Sequence, residues 1–356
     1  MAFNKSIAEE LRERLPSHID VNTFHSKGLR VLLSNFRIKP KINENKCFVI
    51  GKKILDTKDM DVKQQIRYLF DIQIIWNYIR VNLITDYEKE IPGICIEKNI
   101  EFQERMVGDM KQIRNAWHKE MKKINSVKEI NIDFTDMLYF PYQLLDSEDF
   151  PKYDIVTLDE QQDANTLQKE LALRYIKKSG RFVVVGDSRQ CIYGFQGSSL
   201  EVFKSLQSYP NTVVLPLDIT YRCGKNIVEE ARKVFNNGIV AAPNAIDGIV
   251  RKGEFDEAEN GDFILCRNNL PLATVFLYLL EMGKKATIKG KDYGDALVAL
   301  VDKIKHIEDL DTMCEKKISE LKERGFTDIQ AKNNPSYVTL LEKCTILKML
   351  YKNWGD

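Results

Sequence analysis

The chain has 356 residues, 44% of them apolar, and its 53 lysines and arginines stand against 52 aspartates and glutamates. That length fits two or three domains, and near-neutrality excludes a globally basic nucleic-acid binder, so such a role must come from local patches. The seven cysteines (Cys47, Cys95, Cys191, Cys223, Cys266, Cys314, Cys344) are odd in number and scattered without a CxxC pair. They read as reduced thiols of an intracellular protein, not as a metal site or disulfide framework. No signal peptide, run of about 18 apolar residues or lipidation motif occurs, so the expectation is a soluble protein with no membrane role, cytoplasmic in a bacterium or a phage-infected cell.

The first residues carry helix spacing. Ile7, Ala8, Leu11 and Leu15 recur on one face, and Pro16 ends the run. "IDVNTFHS" (19–26) reads as a short strand and turn. With no strand ahead of the first helix, the chain is expected to begin in mid-fold. Residues 40–147 differ in texture, being long, charged and helix-rich. Met106, Met110, Ile113, Trp117, Met121 and Ile124 fall at steps of three and four, which makes one apolar stripe on a helix. Such a stripe reads as core, with a methionine-rich binding face as the alternative. "IDFTDMLYFPYQLL" (132–145) predicts a further helix.

From 153 the rhythm alternates. "YDIVTL", "RFVVVGD" (181–187) and "NTVVLPL" (211–217) are unbroken apolar runs, with helical stretches at 164–178 and 198–208 between them. Continuous apolar strands alternating with helices predict a parallel sheet covered on both faces. Turn-rich residues around 236–238 and 243–261 suggest a boundary. A second α/β unit follows, with strands "DFILCR" (262–267) and "KATIKG" (285–290), a helix near 270–282 between them, and helices to the end.

Two adjacent acids, Asp159 and Glu160, follow the first of these strands. Ligands in open parallel sheets sit at the carboxyl ends of strands. An acid there can hold Mg²⁺ through water, and a neighbouring Glu can deprotonate an attacking water. The bland alternative is that the pair caps the next helix, favoured by its dipole. A glycosidase pair is excluded, because adjacent residues on one strand end do not flank a substrate bond. The second strand runs into "GDSRQCIYGFQGSS", where Gln190 can reach a terminal phosphate or its attacking water. Tyr193 and Phe195 lie in its Gly-rich loop, either stacking on bases or packed beneath the loop. Arg222 follows the third strand and is either a surface charge or a group that stabilises charge on a γ-phosphate.

Taken in order, "LDEQQDAN", "VVVGDSRQCIYGFQGS" and "LPLDITYRC" resemble motifs II, III and IV of superfamily 1 helicases of the UvrD/Rep/PcrA branch. Their usual forms are DEAQD, GDxxQxIYxFRGA and LxxNYRS. Upstream, "AFNKSIAEELRERLPSHIDVNTFHSKG" resembles motif Ia with its TFHS element, and "IDFTDML" resembles the DFDDLL segment. Downstream, "FILCRNNLPLATVFLYLLEMGKKATIKGKDYGDAL" resembles the start of a second RecA-like domain. The resemblance implies a start of the first RecA-like α/β domain at 1–39, a helical insertion at 40–147, the rest of the first domain at 148–236, and a partial second RecA-like domain at 237–356. It implies ATP and Mg²⁺ as cofactors and 3′-to-5′ movement on single-stranded DNA. Asp159 would hold Mg²⁺ with Glu160 beside it, Glu160 would activate water, and Gln190 and Arg222 would contact the γ-phosphate. Asn4, Lys5, Thr23, His25, Tyr193 and Phe195 would line the DNA path.

The departures are specific. None of the four Gly-Lys pairs (at 51, 224, 283 and 290) is followed by Ser or Thr, so the phosphate loop GxxxxGK[ST] is absent from these residues. The later Q/HxxK/RGLE and VAxTRA patterns are also absent. Gln196 replaces the Arg after the motif III aromatic, and Gln161 replaces the Ala of DEAQD. The expectation is the middle of such a helicase, inactive by itself, with a separate chain that carries the phosphate loop as a possible partner. The alternative is a non-catalytic module that binds single-stranded DNA or a protein.

Overall fold

The computed structural model describes residues 5–190, 200–235, 238–266, 269–288, 293–323, 327–332 and 334–354. Asn4, Tyr193 and Phe195 lie outside them. The chain divides into two compact units, 1–215 and 216–356.

Unit 1 contains α1 (Lys5–Arg14), α2 (Phe24–Asn35), β1 (Lys39–Ile42), α3 (Lys46–Ile54), α4 (Val62–Asn82), α5 (Tyr87–Glu97), α6 (Arg105–Lys122), β2 (Glu129–Ile132), α7 (Asp136–Leu144), β3 (Tyr153–Leu158), α8 (Thr166–Arg174), β4 (Ile176–Val184) and α9 (Leu200–Gln207). It is mixed α/β with two short parallel sheets, β1–β2 and β3–β4. Helices α2, α4 and α8 start at side-chain caps. Asp61 with Gln64 opens α4 and satisfies three otherwise unpaired backbone donors, and Asn165 with Gln168 opens α8 and satisfies two. The expected strand and turn at 19–26 gives way to helix earlier, because Thr23 Oγ1 accepts from Ser26 N at 3.2 Å and starts α2.

The methionine stripe is core. Met106, Met110, Ile113 and Trp117 are fully buried on α6, each burial contributing about 1.5–3 kcal/mol. This core joins α3–α7 to α2, β3 and α8. Helix α2 approaches α7 closely at Gly28, where a Cβ would lie 2.4 Å from the Met137 carbonyl oxygen.

Three strand expectations are corrected. Residues 211–217 lie outside the described sheets, and Val213, Leu215 and Leu217 are each more than 75% exposed. An apolar run becomes a strand only where another strand meets its backbone groups. No described strand pairs with this run, and Pro216 lacks the donor that a ladder needs. Residues 262–266 and 285–288 also lie outside the described sheets, with Leu265 85% exposed. The helix expected to 178 ends at Arg174, because the backbone turns at Tyr175 and enters β4 five residues before the expected strand.

Unit 2 contains β5 (Ile219–Thr220), α10 (Lys225–Val234), β6 (Val240–Ala241), α11 (Asn269–Glu281), α12 (Tyr293–Val301), α13 (Asp309–Glu323), α14 (Asp328–Lys332) and α15 (Pro335–Trp354). Its described sheet is the two-residue parallel pair β5–β6. A small core gathers Leu300, Leu310, Cys314, Cys344 and Leu347. The six described cysteines are free thiols. Among the described residues no helix is long and apolar enough to cross a membrane.

Candidate functional site

The acids sit at the carboxyl edge of a parallel sheet. β3 and β4 run in register from Ile155 opposite Arg181 to Leu158 opposite Val184. Pairing continues past both strands, with Val185 N donating to Leu158 O at 2.9 Å and Gln161 N to Val185 O at 3.1 Å. Asp159 and Glu160 lie in this bend, both half-buried. Glu160 has φ +50°, a left-handed conformation costly for a side chain with a Cβ, of order 1–3 kcal/mol.

A hydrogen-bond chain leads from Glu160 to Gln190. Gln162 Nε2 donates to Glu160 Oε2 at 2.6 Å, and Gln162 Oε1 accepts from Asp187 N at 3.1 Å. Asp187 Oδ1 accepts from Arg189 N at 3.0 Å and Oδ2 from Gln190 Nε2 at 3.1 Å. Gly186 permits this approach, since a Cβ there would lie 2.7 Å from Gln162 Oε1. The structure thus joins Glu160 to Gln190 through Gln162 and Asp187, two residues to which the sequence assigned no such role.

Two carboxylates suit Mg²⁺, which keeps several waters and is held by one or two acids plus substrate phosphates. No group of three metal-ligating side chains occurs among the described residues. Gln161 is different. Its side chain is 1% exposed, and neither amide atom has a hydrogen-bond partner among the described residues.

The other predicted residues sit on other elements. Lys5 projects from α1, with an exposed ion pair to Glu9 at 3.6 Å. Thr23 caps α2, so its hydroxyl serves the helix start. His25, half-buried on α2, meets the Phe134 ring edge-on at 6.1 Å and 80°. Burial lowers its pKa below the usual 6.5, which keeps the ring neutral near pH 7. Arg222 is exposed in unit 2, its backbone N–H donating to Thr220 Oγ1 at 3.3 Å.

Helix α2 is tied to the acid-bearing strand. Buried Lys27 donates to Asp20 and to the Tyr153 hydroxyl at the start of β3. Burial pushes the Asp20 carboxyl up, but the bonds from Lys27 and Tyr153 outweigh it and hold its pKa below the ordinary value.

A second polar cluster had no signal in the sequence, because its members are far apart in the chain. Arg80 on α4 is 2% exposed and grips Asp133 at 2.6 and 2.9 Å and Asp136 at 2.8 Å. Asp136 also accepts from Lys46 Nζ at 2.6 Å and Trp117 Nε1 at 2.8 Å. Burial pulls the Arg80 pKa down, but the two carboxylates raise it above the usual arginine value. Beside the cluster lies a cleft of about 270 Å³ lined by Glu44, Gln73, Asn77, Arg80, Asp133 and Thr135 among others.

Comparison with known proteins supplies the lineage. Residues 1–211 match the UvrD/REP helicase N-terminal domain. The chain belongs to this family. Among its curated relatives, the ATP-dependent DNA helicase Rep of Buchnera aphidicola subsp. Schizaphis graminum is 23% identical over 307 residues, covering 76% of this chain and 44% of Rep. The ATP-dependent DNA helicase PcrA of Leuconostoc citreum is 24% identical over 270 residues, covering 69% of this chain and 34% of that PcrA. PcrA of Bacillus subtilis is 27% identical over 262 residues, covering 67% and 33% respectively. This UvrD/REP-family chain therefore spans between a third and a half of the relatives it matches.

Proposed function

We propose that the chain supplies the metal-holding and water-activating acids, and part of the single-stranded DNA path, of an ATP-dependent DNA helicase, with the phosphate loop lying outside these 356 residues. The observation that carries this reading is the chain of contacts from Glu160 through Gln162 and Asp187 to Gln190, at the carboxyl ends of two parallel strands. In the proposed arrangement residues 1–39 and 148–236 belong to one RecA-like domain, 40–147 to its helical insertion, and 237–356 to part of a second such domain.

Phosphoryl transfer is mostly positioning and charge neutralisation. Asp159 would hold Mg²⁺, with Glu160 beside it. Mg²⁺ supplies neutralisation of the phosphate charge. Glu160 takes the proton of the attacking water, and Gln162 fixes which carboxylate oxygen is free to do so. Gln190, aimed by Asp187, contacts the terminal phosphate, and Arg222 stabilises charge that develops there. Asn4, Lys5, Thr23, His25, Tyr193 and Phe195 line the path of the single-stranded DNA.

One observation favours a second reading. With no GxxxxGK[ST] among these residues, the second reading is a non-catalytic module that binds single-stranded DNA or a protein partner. The first reading, and the DNA-binding form of the second, require single-strand binding. Fluorescence-anisotropy titration of residues 1–356 with a labelled single strand and a blunt duplex tests it. Tighter binding to the single strand supports it, and equal affinities or no binding would sink it.

A further inference from the structure

Two thiols meet between helices α13 and α15 of unit 2. Cys314 on α13 and Cys344 on α15 lie in one small core with Leu300, Leu310 and Leu347. They are 8% and 2% exposed. An ion pair spans the same two helices one turn away, where Lys348 donates to Asp311. Asp311 precedes Cys314 by three residues and Lys348 follows Cys344 by four. The helices therefore run antiparallel here, and a single register serves both pairs, since residues three or four apart share a helix face. The Cys344 thiol donates a hydrogen bond to the Cys314 sulfur.

A small apolar side chain would fill this place as well as a cysteine does. Two facing sulfurs add a reaction that no apolar pair has. We propose that Cys314 and Cys344 form a reversible disulfide when hydrogen peroxide reaches the reduced chain, tying α15 to α13.

Cys314 is the more exposed of the two and meets the oxidant first. Its sulfur attacks one peroxide oxygen, the O–O bond breaks, and a sulfenic acid forms with release of water. The Cys344 sulfur then attacks the sulfur of Cys314. The S–S bond forms as the S–O bond breaks, and the hydroxyl leaves as water with the Cys344 proton. The two thiols lose two electrons in all, and one peroxide becomes two waters. Burial, and after it the bond to Cys314, pushes the Cys344 thiol up to about 12. Cys344 is thus a protonated thiol near neutral pH, and holding it against Cys314 compensates for its weak nucleophilicity. An added dithiol reverses the bond by exchange. The closed loop, of about 30 residues, contains α14 (Asp328–Lys332) and the first half of α15.

The test treats the full chain with hydrogen peroxide in native buffer, alkylates the remaining thiols after an acid quench, and maps tryptic peptides by mass spectrometry. The expected product joins the Cys314 and Cys344 peptides, is lighter than its parts by the hydrogens lost, and vanishes after dithiothreitol. Amide hydrogen exchange in α13 and α15 should slow by about tenfold or more in the oxidised chain, because the bond constrains the opened state. Cys314→Ala and Cys344→Ala should each remove that response. The wild-type peptide map depends on neither variant folding. A sulfenic or sulfinic product at Cys314 without the joined peptides, a bond from Cys314 to another cysteine, or cross-linking only after urea has unfolded the chain overturns the pair. A Cys314–Cys344 bond that leaves exchange in both helices unchanged overturns its hold on α15.

Discussion

Replacing Arg80 by Met tests what the buried ion cluster does for unit 1. The guanidinium makes three hydrogen bonds, two to Asp133 and one to Asp136. Without it, Asp136 keeps Lys46 and Trp117, but the Asp133 carboxylate keeps only backbone Asp136 N, at 2.7 Å, among the described residues. A carboxylate 7% exposed would then lack its cation. Breaking a buried pair in this way costs about 3–5 kcal/mol. Arg80 also lies over the Trp117 ring at 4.5 Å, a contact worth about 0.5–2 kcal/mol. The expected loss is therefore about 3.5–7 kcal/mol, a large share of the 5–15 kcal/mol that stabilises a typical domain. Removing the stranded charge as well, in Arg80→Met/Asp133→Asn, should recover about 1–3 kcal/mol as a coupling between the sites. Urea unfolding followed by tryptophan fluorescence suits the measurement, because Trp76 and Trp117 pack against each other at 5.7 Å beside Arg80. A loss below about 1 kcal/mol for Arg80→Met, or a double variant whose loss equals the sum of the single losses, would show that the Arg80–Asp133 pair does not hold unit 1 together.

Gln161→Met replaces a buried, unpartnered amide by an apolar side chain of similar length and should raise the stability of unit 1 by about 1–3 kcal/mol in urea unfolding; a loss would mean that the amide is satisfied. Gly186→Ala puts a methyl group against Gln162 and should cost about 1–3 kcal/mol, so a neutral substitution would show that the Gln162 bridge yields easily. His25 and His118 both have lowered pKa values, through burial first and, for His118, through Arg114 and Lys122 as well. The unfolded chain therefore takes up protons first as pH falls below about 6.5. Their stabilisation is complete above that pH and is lost on acidification towards the folded pKa values. The urea midpoint should fall between pH 7.5 and 5.5, and His25→Gln should shrink the fall; an unchanged fall would remove His25 from the explanation. Lys5→Ala should lower the salt slope of single-strand binding by about one unit, and an unchanged slope would place Lys5 off the DNA path.

What the sequence made legible follows from what local pattern can encode. The stripe from Met106 to Ile124 was readable because burial on one helix face writes itself at a period of 3.6 residues. The position of Asp159 and Glu160 was readable because a β-branched run ending in polar residues marks a strand end. The cluster of Lys46, Arg80, Trp117, Asp133 and Asp136 was not, since its partners come from four elements separated by up to 90 positions. The bridge through Gln162 was hidden for a related reason. It depends on the approach of Gly186 across the β3–β4 edge, a tertiary fact. Residues 211–217 show the opposite error: composition reports what a segment could bury and says nothing about whether a strand lies beside it. Strands β1 and β2, four residues each, are too short for alternation to register.

In the proposed function Glu160 is the water-activating acid of a helicase, and these residues hold no GxxxxGK[ST] loop to go with it. The measurement that meets it most directly is DNA-stimulated ATP hydrolysis in the presence of Mg²⁺. It is made on residues 1–356 alone and on the same chain with a strand–GxxGxGKT–helix segment fused ahead of it, each with and without Glu160→Gln. The expected results are no turnover by 1–356 alone, turnover by the fusion that rises with single-stranded DNA, and loss of that turnover by at least a hundredfold in Glu160→Gln, about 2.7 kcal/mol of transition-state stabilisation. Turnover by 1–356 alone that Glu160→Gln abolishes, or turnover by the fusion that survives Glu160→Gln, would contradict the proposed function.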